Sequence, residues 1–262
     1  MTVKVLVQKV DPTARRIDAQ VEVSGDGVFA DRYGRLSEDV TLLSNAVTGS
    51  KITVKAGDRP EYAAEQFALR DGIITDYPFD KYSANFVFRA KVGNGPVQRP
   101  VPVRVVFNDI DSFFKVRPAE QQSLRVNRDG QVETITMSDT LFAASATITR
   151  SMSTVVFAVF IMLFMWCLTL AALIAAWYVG SGKLGLFWSG LGFLGTLLFA
   201  LIPLRNAVPG NPPIGSLIDF GAFFIAEGVV AISMIVTVLH GYAIELAKRR
   251  EGAAGAGADD ED

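Results

Sequence analysis

Glu227 is the first residue to need a chemical explanation, because it is an acid inside an apolar run. It stands about 11 residues into the stretch 216–246, or ~16 Å along a helix, which is close to the midplane if that stretch crosses a bilayer. A charge at that depth costs at least about 2.5–3.5 kcal/mol on insertion scales, so the carboxyl must protonate, pair or face a polar cavity. It can serve as a proton or ion site, as a contact to a partner's polar group, or as a neutral acid bridging helices. Asp219, earlier in the same run and roughly on the same side, is its nearest acidic companion. Thr169 and Thr196, in the middle of the two preceding apolar runs, are hydroxyls within reach.

Other constellations fall short of the chemistry they suggest. Gly180-Ser181-Gly182-Lys183 looks like the end of a phosphate loop, but the position five before Gly182 holds Trp177 and Leu184 follows the lysine. A tight interhelical turn is the better reading. His240 is the sole histidine, which excludes a two-histidine metal site, and it sits at the end of an apolar run as an interfacial residue would. Asp109 and Asp111, with Asn108, offer fewer oxygens than the six or more that Ca²⁺ needs, and read as a turn after a strand. No catalytic residue, cofactor or metal follows from the sequence, and the chain is expected not to be an enzyme.

Composition divides the molecule. The chain has 262 residues and a formal charge of -2; most charge lies in residues 1–150, and 151–247 are almost uncharged. Basic residues are spread among acidic ones, which argues against a nucleic-acid partner. The single cysteine, Cys167, rules out an internal disulfide.

The first 150 residues read as strands separated by turns. Val3, Val5 and Val7 alternate with polar residues, as do Ile17, Ala19, Val21 and Val23; further strands are expected at 51–55, 83–92, 99–107 and 131–137. Asp11-Pro12, Gly25-Asp26-Gly27, Gly57-Asp58, Asp71-Gly72, Gly93-Asn94-Gly95 and Asp129-Gly130 supply the turns. Residues 61–68 suit a short helix or a strand. The pattern predicts an all-β, sandwich-like domain. Within it, Asp76–Tyr82 reads as a structural turn: Pro78 sets φ, Tyr77, Phe79 and Tyr82 plug the sandwich, and Asp80 accepts backbone hydrogen bonds.

Three apolar runs follow, at 153–179, 184–204 and 216–246, each long enough to cross about 30 Å of hydrocarbon as a helix. Trp177-Tyr178 and Phe187-Trp188 flank the first link, as interfacial aromatics do. Lys248, Arg249 and Arg250, with Lys183, outweigh Arg150 and Arg205 on the other side, which places the C-terminus in the cytoplasm and the β-domain outside the plasma membrane. The N-terminus carries no export signal, so either the chain translocates its N-tail or an upstream anchor helix is missing from this chain, and the missing anchor is expected. Residues 248–262 read as a disordered acidic tail. The second link, 203–215, carries Arg205 and four prolines, among them Pro209, Pro212 and Pro213, and is expected to form a stiff cap on the outer membrane face, able to touch the β-domain. Small residues recur at helical spacing (Gly185, Ser189, Gly192, Thr196 and Ala200; Ala222, Ala226, Ser233, Thr237 and Gly241) and are expected to pack inside one three-helix bundle, with a homo-oligomer as the alternative.

At this second link the sequence resembles a known family. Leu204-Arg205-Asn206, Pro209-Gly210, Pro212-Pro213-Ile214-Gly215, Ile218-Asp219 and Ala226-Glu227 are similar to the signature of an uncharacterised membrane family, domain of unknown function 4436, and Asp76–Tyr82 resembles its β-domain motif. The resemblance implies an actinobacterial membrane protein, in a family where many members begin with an anchor helix; it brings no activity. Two function classes remain. One is a non-enzymatic envelope protein whose β-domain binds a protein, lipid or glycan while the helices hold the bilayer or join another membrane protein. The other is a channel or transporter component using Glu227, since Pro78-Phe79-Asp80 faintly resembles the Pro-Phe-Asp turn of pentameric ligand-gated channels.

Overall fold

A computed structural model of the chain describes all residues except 26, 34, 60, 95–96, 121–122, 129–130, 137, 182–186 and 257–262. Parts of the turns expected at Gly25–Gly27, Gly93–Gly95 and Asp129-Gly130, part of the Gly180–Lys183 link and the end of the tail therefore lie outside the described residues. The chain divides into two compact units, Met1–Met152 and Ser153–Asp262.

The first unit is a sandwich-like all-β domain. One sheet has the order β5 (Ala63–Ala68), β2 (Arg16–Ser24), β1 (Thr2–Asp11), β8 (Arg104–Asp109). The other has the order β4 (Lys51–Val54), β3 (Val40–Ser44), β6 (Lys81–Val92), β12 (Phe142–Arg150), β9 (Phe114–Glu120), with the short β7 (Arg99–Val101) also paired to β6. A separate hairpin joins β10 (Ser123–Arg128) and β11 (Gln131–Thr136). The ambiguous stretch 61–68 resolves as strand, because Glu65 and Phe67 alternate inward along β5.

The alternation read in β1 and β2 is the core. Val3, Val5, Val7, Ile17, Ala19, Val21 and Val23 are all buried and meet Leu42, Phe86, Phe88, Ala146 and Ile148 of the opposite sheet. Burying a side chain of this kind is worth about 1.5–3 kcal/mol each. Strict alternation would turn Val10 outward. A bulge between Val7 and Lys9 restores it to the core face. Phe67, Phe86 and Phe107 fill the centre, with the Phe67–Phe86 and Phe86–Phe107 ring centroids 4.7 and 5.1 Å apart.

The run 99–107 is two strands rather than one. β7 pairs antiparallel with β6, whereas β8 pairs parallel with β1, so the chain changes sheets between Val101 and Arg104. The Asp71-Gly72 turn needs its glycine: φ is +77°, and a Cβ there would run into the carbonyl oxygen of Lys81 and the Tyr82 ring.

The second unit holds α1 (Met152–Gly180), α2 (Phe187–Asn206), a π-helical turn (Asp219–Phe223) and α3 (Phe224–Ala256). Three helices are long and apolar enough to cross a membrane. Buried stripes fix how they pack: Ala158, Ile161, Met165, Thr169 and Ala172 on α1, Leu194, Leu197 and Leu201 on α2, and Ala226, Val230, Ser233 and Thr237 on α3. Two expectations change here. On α2 the leucines pack inward, leaving Ser189, Gly192 and Thr196 exposed, so its small-residue face is not the bundle interior. At the C-terminus, α3 runs on through Lys248–Arg250 to Ala256 where a disordered tail from 248 was expected; helix propagation from a long apolar segment adds one hydrogen bond per residue fixed.

Candidate functional site

The singled-out residues fall into two ionic clusters and one isolated acid. The first cluster closes one end of the β-domain. Asp80 precedes β6 and Arg150 ends β12, and the β6–β12 register brings them together. Arg150 donates through Nε to both carboxylate oxygens of Asp80 (2.9 and 3.1 Å) and through Nη2 to Oδ2 (3.0 Å). The Tyr82 hydroxyl donates to Oδ2 at 2.8 Å. The two charged side chains are 2% and 0% exposed, so the pair is desolvated and held by geometry. Among the described residues Nη1 of Arg150 has no hydrogen-bond partner, but the guanidinium lies over the rings of Phe114 (4.1 Å) and Tyr77 (4.8 Å), whose faces attract a cation. Burial, and then the bond to Asp80, push the Tyr82 hydroxyl well above its usual range.

This arrangement corrects the expected turn in two respects. Asp80 takes side-chain donors from Arg150 and Tyr82, where backbone donors were expected, because a guanidinium fork fits a carboxylate on two sides. Tyr77, Pro78 and Tyr82 are buried, but Phe79 is 56% exposed and plugs nothing. The Tyr77–Pro78 peptide is cis. Arg150 itself was read only as a charge near the membrane; no sequence signal pairs it with Asp80, 70 residues away.

The neighbouring turn accounts for Asp109 and Asp111. Asp109 accepts from the backbone N–H of Asp111 and Val116; Asp111 accepts from Val10, Phe113 and Phe114. These carboxylates are occupied by the chain that folds around them, as a turn requires.

The second cluster lies where α2 gives way to α3. Arg205, in the last turn of α2, donates to Asp219 through Nε (2.7 Å) and Nη2 (2.9 Å), and through Nη2 to the carbonyls of Pro212 and Pro213 (3.1 Å each). Asp219 also accepts from the N–H groups of Gly215 and Ser216 and from the Ser216 hydroxyl. The loop is therefore wound around one ion pair. The carbonyls of Pro212 and Pro213 accept from the same guanidinium nitrogen that reaches Oδ2 of Asp219. Gly210 and Gly215 have positive φ, +79° and +89°, where the chain reverses. Val208 and Pro212 are buried, and Pro209 and Pro213 half-buried. The link expected as a prolyl cap is thus clamped by an ion pair, which joins two residues that had been singled out separately.

Glu227 stands apart. Asp219 is not its partner, being consumed by Arg205 about 12 Å away along the helix. Thr169 and Thr196 do not donate to it either: each hydroxyl donates to the carbonyl four residues back in its own helix, Met165 and Gly192. Glu227 is half-buried at the border of the stripe of Ala226 and Val230, and has no hydrogen-bond partner among the described residues. His240 is exposed on α3.

One buried acid escaped sequence reading. Glu65, 1% exposed, points from β5 into the sandwich, where its Oε1 accepts from the Ser44 hydroxyl (3.0 Å) and its Oε2 has no hydrogen-bond partner among the described residues. Burial pushes its carboxyl up to about 7, against a smaller opposing effect from Ser44. Its place in phase with Phe67 was the available signal.

Fold and sites together define a multi-pass membrane protein: a β-sandwich domain closed by a buried ion pair, followed by three membrane-spanning helices whose last link is closed by another. Residues 1–153 match the family described as domain of unknown function (DUF4436), and the chain belongs to that family. Residues 150–244 match a second family, domain of unknown function (DUF8686). The Asp76–Tyr82 motif thus lies in the first match, whereas the motif residues from Leu204 to Glu227, expected to carry the same family, fall in the second. No curated protein matches the chain.

Proposed function

We propose that this chain is a plasma-membrane protein of the actinobacterial envelope whose β-domain stands outside the cytoplasm and acts, without catalysis, as a binding module for a protein, lipid or glycan. One observation carries the reading: the polar side chains of the β-domain best suited to chemistry are turned inward and used to hold the fold. Asp80, Arg150 and Tyr82 are bonded to one another, and Asp109 and Asp111 are taken by backbone amides. What the domain offers a partner is its surface. The orientation is supported by Lys248, Arg249 and Arg250, exposed along α3, whereas the opposing Arg150 and Arg205 are buried in ion pairs.

The test has two arms. Single cysteines at Val97, exposed in the β-domain, and at Arg250, exposed at the C-terminal side, are treated in intact cells with a membrane-impermeant thiol reagent. Labelling at Val97 alone is the expected result; labelling at Arg250 alone reverses the orientation. Purification from native membranes then distinguishes the function classes. A different envelope protein or a bound glycolipid in fixed stoichiometry is the result for a binding module. A symmetric ring of this chain with Glu227 lining its axis is the result for the second reading, a channel or transporter component, which the unpartnered state of Glu227 favours.

A further inference from the structure

We infer that the end of the β-domain from which the chain passes into α1 is a lipid-binding surface, with Phe79, Ile110 and Phe113 seated in the headgroup–acyl boundary of the bilayer. The inference rests on the membrane-spanning reading and adds a lipid partner for a defined face. Strand registers place these residues at one end of the sandwich. β12 finishes at Arg150, opposite Phe114 at the start of β9; β6 starts beside Asp80, which holds Arg150; and β8 finishes at Asp109, where Ile110 donates to Val7. Phe79, Ile110 and Phe113 are 56%, 57% and 46% exposed, and Met152, the first residue of α1, is 76% exposed. Apolar side chains this large, grouped on the loops of one end, mark an interaction site.

The depth follows from the chain itself. Ser151 is fixed into the β-domain, its N–H donating to the carbonyl of Phe113 (2.8 Å) and its hydroxyl to that of Ser112 (2.9 Å), and the next residue begins the helix. No linker intervenes. At the far end of α1, Trp177 and Tyr178 are exposed, as residues of an interfacial belt are. Crossing ~30 Å of hydrocarbon takes about 20 residues, which brings the near boundary to the vicinity of Phe157. Met152 is then ~8 Å beyond it, within the headgroup layer, and any tilt of α1 draws it further in. Ser112 and Phe113 are thus hydrogen-bonded to Ser151, one residue along the chain from the start of that helix.

A second observation identifies lipid as the occupant. Lys81 and Lys115 lie on the strands either side of β12, both in register with Thr149, and both are exposed. Among the described residues neither has an ion-pair partner. Lysines flanking an apolar patch at the membrane boundary suit phosphate headgroups above and acyl chains below.

The experiment uses the full chain in phosphatidylcholine–phosphatidylglycerol vesicles. With Cys167→Ala as background, an environment-sensitive thiol fluorophore is placed by Phe79→Cys, Phe113→Cys and, as an aqueous reference at the opposite end of β6, Val97→Cys. The expected result is blue-shifted emission at positions 79 and 113, iodide quenching several-fold below that at position 97, and strong quenching by lipids brominated high on the acyl chain. Iodide access equal to that at position 97 overturns the proposal. So does shielding from iodide without quenching by brominated lipid, which would mean that protein, such as a second copy, covers the face. If a labelled variant fails to purify like the wild type, Ile110→Cys takes its place. The native Cys167, exposed in the middle of α1, serves as control in the otherwise unaltered chain. Deep quenching there with none at positions 79 and 113 removes the lipid-binding face alone, whereas no quenching at Cys167 removes the spanning reading and this inference with it.

Discussion

Replacing Glu65 by glutamine tests whether burial governs the β-domain's response to pH. The carboxyl is 1% exposed, bonded among the described residues only to Ser44, and shifted from 4.5 to about 7 by burial. The folded state therefore holds the proton more tightly than the unfolded chain. Stability from this group is fully present below about pH 4.5 and is lost as pH rises through about 7. Between pH 5 and 8.5 these two values give a loss of about 1.9 pH units, or ~2.5 kcal/mol, which is close to a hundredfold in local opening. Glu65→Gln keeps the shape and the bond to Ser44 but cannot ionise. The assay is hydrogen–deuterium exchange by mass spectrometry on the full chain, with intrinsic rates corrected for pH, following peptides from β5 and β2. Wild-type protection in β5 should fall by up to about a hundredfold from pH 5 to 8.5, and the glutamine variant should change little. An equal fall in both proteins would refute the reasoning, since the slope would then belong to some other group.

Asp80→Ala removes one half of a buried pair and strands the Arg150 guanidinium and the Tyr82 hydroxyl; a loss of about 3–5 kcal/mol is expected in denaturant titration of the purified chain, and a variant as stable as wild type would show the pair to be dispensable. Arg205→Lys keeps the charge but loses the fork that holds Asp219, Pro212 and Pro213 together, so protease cleavage and exchange in 207–218 should rise while the β-domain keeps its protection. For Glu227, Gln should preserve assembly and function, and Leu weaken assembly, if the role is structural; Gln should abolish function with assembly intact if protons or cations pass. Complementation with native gels separates the two, and no effect of Leu on either would show that the residue is immaterial.

The sequence by itself determined the architecture, because the signals for it are local. Alternation along Val3–Val7 and Ile17–Val23 marked the two central strands of the first sheet, and three apolar runs of spanning length marked the helices. It also singled out Asp80 as a hydrogen-bond acceptor, Arg205 as a charge in the prolyl link and Asp219 as a companion of Glu227. Tertiary structure alone decided what they hold. Arg150 reaches Asp80 across 70 residues through strand pairing, and Arg205 meets Asp219 only because a prolyl loop folds back on itself. β12 was hard to see because Ala143–Ala146, within Phe142–Arg150, holds only alanine and serine, and its identity comes from β6 and β9 on either side. The packing face of α2 was read from its small residues and proved to be that of its leucines: both recur with the same helical period, and only the neighbouring helices choose between them.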